Sequence, residues 1–547
     1  MYKHEHRLTA WHIGIAFTFL SIGILLGPFQ TWEHAGLNLY PQLKAVGIQS
    51  YYHGLTLHGV LNALVFTTFF ITGFFTFTVA HSLGRPMRFP RYHTVSLIVM
   101  VVGLLITAVP LLLNGATVLY TFYPPLKADP LFYIGLTIVV IGSWMVGWGL
   151  LFTWGAWRKD NPKTQTPLIA LGSLITMVMW QIATIGVALE MLLLNIPWSL
   201  GLLPGTDPQL ARTLFWFTGH PLVYFWLLPV YVSWYGMLPK QAGGKIFSEP
   251  LARFAFWLFL VLSVPIGIHH QYVDPGIPAG WKALHSILTF AVFFPSLLTL
   301  FNVVASLEIG GRAAGGKGWF GWIFKLPWGD PSFTAQAFAG MLFALGGISG
   351  LTNASYNINL AVHNTAWIPG HLHLTVGTGV AFSFMGIAYW LVPKLAGREL
   401  WNRKVALAQA WTWLIGMALM SNGLHILGLR YGVPRRSALG IAPYAAGMTE
   451  WTPFIIETAV GGTILLISIV LLYVNLVATA WFSRRLTTPI EMPVAEPWDD
   501  HPAPAWLDQW RPWLAGSLAL VLLSYGPVVV YLLSRLALTS PGFSNLW

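Results

Sequence analysis

The chain alternates long apolar stretches with short polar ones. Charged residues divide it into thirteen apolar segments, and a membrane-spanning helix takes about 20 residues. The segments lie near 8–28, 57–80, 94–113, 131–155, 168–195, 213–238, 253–270, 284–306, 333–351, 371–393, 407–428, 455–482 and 512–534. Only helices or closed barrels satisfy the backbone in lipid. The pattern therefore predicts an all-α membrane protein, a bundle of about thirteen transmembrane helices.

Composition agrees with a membrane protein and narrows the chemistry. Of 547 residues, 56% are hydrophobic and 9% charged, and there is no cysteine. Disulfides, iron–sulfur clusters and thiolate copper centres are therefore excluded from this chain. We find no soluble domain and predict a single domain, 1–547. A Pro-rich and acidic stretch at about 483–511 is interpreted as a cytoplasmic linker before the last helix.

The distribution of Lys and Arg predicts the orientation. With the N-terminus in the cytoplasm, 21 of the 29 Lys and Arg residues fall in cytoplasmic loops. This asymmetry follows the positive-inside rule. The net charge of +11 is thus mainly a topology signal. The basic residues form no single patch, so nucleic-acid binding is not expected.

Several of the seventeen histidines lie inside or at the edge of apolar segments, and six of these share one depth. They are His58, His220, His269, His270, His371 and His373. With alternating helix orientation, all six lie toward the non-cytoplasmic side, so four helices bring them to one depth. Neutral imidazole is a natural ligand for iron and copper. For any one of them alone, hydrogen bonding between helices is the alternative.

The spacing of these residues suggests how they are used. His371 and His373 are two apart, about 200° around a helix, so they should point to different centres with the helix between two planar cofactors. The adjacent His269 and His270 could reach one metal only where a helix end loosens; a metal-free pair at a loop edge is the alternative. Tyr224 comes four residues after His220 and therefore lies on the same face of the helix. Its alternative role is that of an interfacial tyrosine.

These residues together resemble subunit I of the heme-copper oxygen reductases, in particular the B-type, Thermus-like branch. The matching motifs are LTLHGVLN at 55–62, HPLVYFWLLP at 220–229, HHQY at 269–272, HNTAWIPGHLHL at 363–374, YTFYPPL at 120–126, LPKQAGGK at 238–245 and VPRRS at 433–437. The resemblance covers essentially the whole chain. It implies a cytochrome c oxidase of the prokaryotic plasma membrane that reduces dioxygen to water and couples this to proton uptake and translocation.

The resemblance also implies cofactors and a partner. Two hemes are expected, a b-type low-spin heme held by His58 and His373 and an a-type high-spin heme held by His371. One copper ion, CuB, would be held by His220, His269 and His270, with Tyr224 cross-linked to His220 as the catalytic pair. Further cofactor contacts are implied for Arg435, Arg436, His363, Asn359 and Trp216. Electrons would come from cytochrome c through a subunit II with a dinuclear copper cupredoxin domain.

A proton route from the cytoplasm is predicted below Tyr224. Tyr231 and Tyr235 follow it on one helical stripe, and Ser296 and Thr299 lie in the eighth segment. A chain of hydroxyls with water can pass protons through protein at membrane depth. The alternative is that they are ordinary hydrogen bonders between helices.

Two departures from the family pattern stand out. Leu222 replaces the glutamate that follows His-Pro in better-known oxidases, which puts a second proton channel in doubt. Asn359 replaces an aspartate of close relatives, and an amide cannot load a proton.

Two rival functions remain at this stage. A nitric oxide reductase would need glutamates near its second metal, and the segments around His220 and His270 have none. A cofactor-free ion-coupled transporter would show broken helices and buried acids at mid-membrane depth.

Overall fold

The computed structural model describes residues 2–438, 450–499 and 501–544. Within these ranges the chain is helical, with isolated bridges and no β-strand. The long helices, numbered in chain order, are α1 (Lys3–His34), α2 (Tyr51–Ser82), α3 (Pro90–Leu112), α4 (Pro130–Asp160), α5 (Leu168–Ser199), α6 (Pro208–Gln241), α7 (Glu249–Leu262), α8 (Ala279–Ala313), α9 (Pro331–Ala354), α10 (Trp367–Ala396), α11 (Arg403–Tyr431), α12 (Thr452–Trp481) and α13 (Trp510–Leu533). Shorter helical segments lie at Tyr40–Leu43, Lys44–Val46, Gly267–Gln271, Ile323–Lys325, Tyr356–Val362 and Ala505–Asp508.

The predicted helical bundle is confirmed, with one difference at the seventh segment. In the described part of the chain, 12 helices are long and apolar enough to cross a membrane, so this is a multi-pass membrane protein. The exception, α7, has 14 residues, about 21 Å of helix against a hydrocarbon core of about 30 Å. Pro265 follows it, and proline disfavours helix at the preceding residue. The segment predicted at 253–270 is thus a short helix, a break and the 3₁₀ turn Gly267–Gln271.

Polar caps start several helices earlier than the apolar pattern alone suggests. The helix α2 begins at Tyr51 because the Ser50 Oγ accepts a hydrogen bond from the His53 N–H at 3.1 Å. Asp207 caps α6 in the same way, and proline follows it at the first helical position. Such caps satisfy N–H groups that have no partner inside the helix. As a result His58 lies inside α2 rather than at its opening.

The centre of the bundle is formed by α2 and α6. In their most apolar stretches, 89% and 94% of the residues are buried, against 33% in α8 and α13. Without a hydrophobic drive between helices in lipid, close packing must hold them together. The two central helices carry two of the six candidate metal ligands, His58 and His220, and also Tyr224.

The predicted linker is packed against the ends of the helices. Its backbone pairs with the segment after α6, where the Ile246 N–H donates to the Glu496 carbonyl at 2.9 Å. Farther along, the Trp257 indole of α7 donates to the Leu507 carbonyl at 2.9 Å. One acidic residue of the stretch, Asp500, lies outside the described residues.

Candidate metal and heme site

Three histidines from two parts of the chain converge on one point. His220 comes from α6, and His269 and His270 come from the 3₁₀ turn after α7. One ring nitrogen from each lies within 4.8 Å of the others, the one such group of three in the described part of the chain. The His220 Nδ1 and His270 Nε2 atoms are 3.1 Å apart. This spacing fits ligands that each bind one ion at about 2.0 Å.

Neighbouring groups aim these rings. The Nδ1 atom of His269 lies 2.8 Å from the Ile266 carbonyl and 3.0 Å from the Thr289 Oγ1. A carbonyl only accepts, so Nδ1 carries the proton and Nε2 keeps a lone pair for a metal. The Trp216 indole stacks on His270 with ring centroids 3.7 Å apart and 9° between planes. The structure thus brings Trp216 directly against the triad.

Tyr224 lies beside the triad, as its position four residues after His220 predicts. The two ring centroids are 5.2 Å apart. The His220 Nε2 atom is buried and has no hydrogen-bond partner among the described residues. Because Nδ1 points to the triad, Nε2 is the atom left for the implied link to the phenol ring.

A second histidine pair faces across a gap between α2 and α10. The His58 and His373 rings have centroids 6.3 Å apart and planes 21° apart. Their Nδ1 atoms bond backbone carbonyls, of Gly23 at 2.9 Å and Pro369 at 2.7 Å. Both Nε2 atoms are therefore free acceptors. The separation leaves room for two metal–nitrogen bonds of about 2.0 Å, as in a six-coordinate heme.

The space around this pair is a largely apolar cavity. A cavity of about 300 Å³ extends between α1, α2, α10, α11 and α12 and is lined by both histidines. A Cβ atom placed on Gly27 would stand 3.0 Å from the His58 ring. A side chain at this position would push against the candidate ligand, so glycine keeps the approach open.

His371 points away from that pair. Its Nδ1 atom lies 2.9 Å from the Ser349 Oγ and 3.1 Å from the Gly346 carbonyl, both on α9. The predicted division of His371 and His373 between opposite faces of α10 is therefore observed. Immediately after, residues His373–Val380 form a π-helical turn. Such turns are frequent at functional sites.

Two arginines stand at the edge of the cavity. Arg435 donates from Nη2 to the Asn364 Oδ1 at 3.1 Å, and its buried Nε has no partner among the described residues. Burial and the neighbouring Arg436 lower the pKa of Arg435 to about 10, so it stays charged at neutral pH. Arg436 lies over the Tyr120 ring. Two neighbouring cations, one of which has a buried donor without a partner among the described residues, suit carboxylate groups such as heme propionates.

Asn359 and His363 form a neutral pair near these arginines. Asn359 lies in the helix Tyr356–Val362, and its Nδ2 donates to the Asn353 carbonyl at 2.8 Å. Its Oδ1 lies 3.1 Å from the His363 Nδ1 and must accept there. Burial and the charge of Arg435 lower the pKa of His363 to about 4. Neither residue carries charge at neutral pH.

The side chains of the predicted proton route, Tyr231, Tyr235, Ser296 and Thr299, lie between α6 and α8, and we call them the hydroxyl file. The Tyr235 hydroxyl donates to the Thr299 Oγ1 at 2.8 Å, and the Tyr231 hydroxyl donates to the Ser296 Oγ at 3.3 Å. Tyr231 and Tyr235 are each 1% exposed. The structure thus places a hydroxyl pair at each of two successive levels below Tyr224.

Sequence reasoning missed the groups that orient the ligands. They are Thr289 beside His269, Ser349 beside His371, and Asn62, whose Nδ2 lies 3.1 Å from the His58 Nδ1. Each is a polar residue inside an apolar segment, and this pattern could have marked it as a candidate from the sequence. Their assignment to a particular histidine requires helix rotation and depth, which spacing within one helix does not supply.

Comparison with known proteins gives one consistent family. Residues 7–495 match the family described as Cytochrome C and Quinol oxidase polypeptide I. Cytochrome c oxidase subunit 1 of Thermus thermophilus is 43% identical, with 99% of this chain and 97% of the relative covered. A cytochrome c oxidase polypeptide 1 of Halobacterium salinarum is 26% identical over 93% of this chain and 85% of its own length.

A solved structure agrees. The cryo-EM structure of a heme-copper terminal oxidase dimer superposes with a TM-score of 0.92 at 38% identity, covering 99% of this chain and 94% of the other. The family implies hemes and copper, and the histidine sets above fit them. The chain therefore belongs to the cytochrome c and quinol oxidase polypeptide I family of heme-copper oxidases.

Proposed function

We propose that this chain is the catalytic subunit of a terminal oxidase that reduces dioxygen to water with electrons from cytochrome c. The observation that carries the proposal is the convergence of His220, His269 and His270 within 4.8 Å, beside Tyr224. Near this centre, His371 would hold the iron of a heme, and that heme would supply the site for dioxygen. Bound hemes and copper supply the electron-transfer chemistry.

The chain's own residues provide position and protons. His58 and His373 would together hold the iron of the other heme, which would relay electrons. Tyr224 can give a proton and an electron at the centre where the O–O bond breaks. Tyr231 and Tyr235, with Ser296 and Thr299, form the uptake route from the cytoplasmic side. We assign both chemical and pumped protons to this route.

The experiment is a cofactor and turnover analysis of the purified complex. We expect two hemes and one copper per chain, with oxygen consumption that stops when copper is removed. Reduced spectra after heme extraction should give one b-type and one a-type heme, as the resemblance to the Thermus-like branch supports. A colourless protein, or full activity without copper, would contradict the proposal.

A nitric oxide reductase is the second candidate, and the ligand set disfavours it. The triad contains three histidines and no carboxylate. Nitric oxide consumption much faster than oxygen consumption by the same sample would reverse this preference.

We also assign a subunit II with a dinuclear copper cupredoxin domain as the electron-donating partner. Thiolate ligands are typical of such centres, and this chain has no cysteine. Cytochrome c oxidation by the two-subunit complex should far exceed that by this chain alone. Equal rates would count against the partner.

The chain is assigned as one domain in the prokaryotic plasma membrane with a cytoplasmic N-terminus. The excess of Lys and Arg on one side supports this. Because the chain has no cysteine, single cysteines report sidedness cleanly. A cysteine at Trp319 should be labelled only from the cytoplasmic side, and one at Lys127 only from the other. Reversed labelling would invert the orientation.

A further inference from the structure

A carboxyl group that the proposed function does not use is fully buried in α5. Glu190 is 0% exposed. No Lys, Arg or His side chain forms an ion pair with it in the described part of the chain. An ionised carboxylate without a partner in apolar surroundings is very costly. Either a cation neutralises this group or it carries a proton.

The hydrogen bonds of Glu190 distinguish these two states. The Asn195 Nδ2 donates to the Glu190 Oε1 at 2.9 Å. The two remaining oxygens, Glu190 Oε2 and Asn195 Oδ1, are buried and have no partner among the described residues. A proton on Oε2 can be donated to Oδ1, which completes a cyclic pair of acid and amide and satisfies both atoms. An ionised Glu190 would leave two acceptors unsatisfied.

The local fold of α5 brings this pair together. Residues Met191–Asn195 form a π-helical turn, so the side chains at 190 and 195 share one face. One turn earlier, the Thr218 hydroxyl of α6 enters the hydrogen-bond ladder of α5. It accepts from the Val187 N–H at 2.8 Å and donates to the Ala183 carbonyl at 2.8 Å. The Val187 N–H and the Ala183 carbonyl would bond each other in a regular helix, and here the Thr218 hydroxyl of α6 bridges them.

Thr218 also connects this region to the triad. It lies two residues before His220, about 3 Å along the helix axis. We propose that Glu190 is a proton-binding site, a neutral carboxylic acid held by Asn195, whose hydrogen bond responds to reduction of the metal centre at His220. The inference rests on the proposed function, because it takes a redox-active copper at that histidine.

The response has two physical routes. An electron added to the centre changes its charge by one, and in a low-dielectric interior such a charge acts well beyond direct contact. The α5–α6 bridge at Thr218 also transmits small movements of the ligand-bearing segment. Glu190 keeps its proton throughout, and only the strength of its bond to Asn195 changes. The Tyr133 hydroxyl of α4 is the other titratable group that interacts with Glu190.

The test is redox-difference infrared spectroscopy of the purified complex in H₂O and D₂O. We expect a pair of bands in the carboxylic C=O region that shifts in D₂O and is lost in Glu190→Gln. Asn195→Leu keeps the acid but removes its acceptor, so it should move the bands. Glu457→Gln is the matched control, because Glu457 also bonds an asparagine, Asn422 at 2.9 Å, but at an exposed edge. The control should leave the Glu190 bands unchanged.

Copper content and heme spectra of the same samples separate two failures. Absence of copper from the unsubstituted protein would count against the proposed function. A copper-loaded protein whose C=O region is the same in Glu190→Gln would overturn this inference alone. Thermal stabilisation by Na⁺ or Ca²⁺ that disappears in Glu190→Gln would also overturn it, since Glu190 would then be an ionised cation ligand.

Discussion

His58 and His373 face each other with ring centroids 6.3 Å apart, whereas ligand nitrogens of His220, His269 and His270 all lie within 4.8 Å. The first pair borders a cavity of about 300 Å³ and stands on two helices. The triad has two of its members on a 3₁₀ turn. In the proposed assignment, the same side chain thus serves a flat macrocycle in one place and a single ion in the other.

Backbone geometry accounts for this difference. Two continuous helices, α2 and α10, hold these rings on opposite sides of a slot, each with a π-helical turn that begins at or just after its histidine. Adjacent residues of a regular helix point about 100° apart, so two neighbours rarely meet at one ion. His269 and His270 lie beyond the break at Pro265, in the short turn Gly267–Gln271, and there their ring centroids are 4.2 Å apart. The two sites should therefore fail independently when either is damaged.

The largest effect is expected for the triad. His269→Ala removes one of three copper ligands, so copper and oxygen consumption should be lost almost completely. The low-spin heme spectrum should remain, because His58 and His373 are untouched. Metal analysis and reduced spectra measure both results. His501→Ala, at a side chain 90% exposed on the linker, is the control and should behave normally. Full copper occupancy in His269→Ala would refute the ligand assignment.

The reciprocal change should break the other site. His58→Leu removes one axial ligand, so the low-spin heme signal and electron delivery should be lost while copper is retained. His53→Gln is the control, since His53 donates to the Leu111 carbonyl at 2.7 Å and an amide can do the same. If copper and heme were lost together in His58→Leu, the two sites would not be independent.

The sequence predicted most of the fold because apolar length and charge placement set spanning helices directly. It was less accurate at α7, where a proline shortens the helix within an unbroken apolar stretch. The facing of His371 and His373 followed from helical rotation alone. Helical rotation does not indicate which residues of other helices they pair with, and that assignment was inferred from the resemblance to a family. Contacts such as Thr289 with His269 depend on packing between helices that no single segment encodes.

The hydroxyl file should show a smaller but clear effect. Tyr231→Phe removes one hydroxyl and almost no volume, and with it the 3.3 Å bond to Ser296. We expect oxygen reduction and proton pumping to slow together by about tenfold or more, because proton transfer depends first on geometry. Both hemes and copper should stay. Oxygen consumption and proton release in vesicles are measured in parallel.

A matched variant makes this test decisive. Thr299→Val removes the acceptor of the Tyr235 hydroxyl and should slow the same two processes. Ser21→Ala is the control, since its hydroxyl donates to the Thr18 carbonyl in α1 at 2.7 Å, away from the file. Near-normal turnover in both Tyr231→Phe and Thr299→Val would show that protons enter elsewhere.

The smallest effects should come from groups that orient the ligands, and they should differ between the two sites. The Thr289 Oγ1 accepts from the His269 Nδ1–H at 3.0 Å. The Ile266 carbonyl accepts from the same N–H at 2.8 Å. Losing such a support typically costs about 10–100-fold in metal affinity. Because the carbonyl remains, Thr289→Val should lower copper affinity by about tenfold, measured as copper retained against a chelator. Asn62→Leu removes the side-chain amide that lies 3.1 Å from the His58 Nδ1, while the Gly23 carbonyl keeps its bond to that nitrogen. A heme, unlike an ion, is also held by burial of its apolar surface in the cavity, at about 25 cal/mol per Å², so heme content should scarcely change. Equal losses of cofactor in the two variants would mean that the heme depends on its ligands as strictly as the ion does.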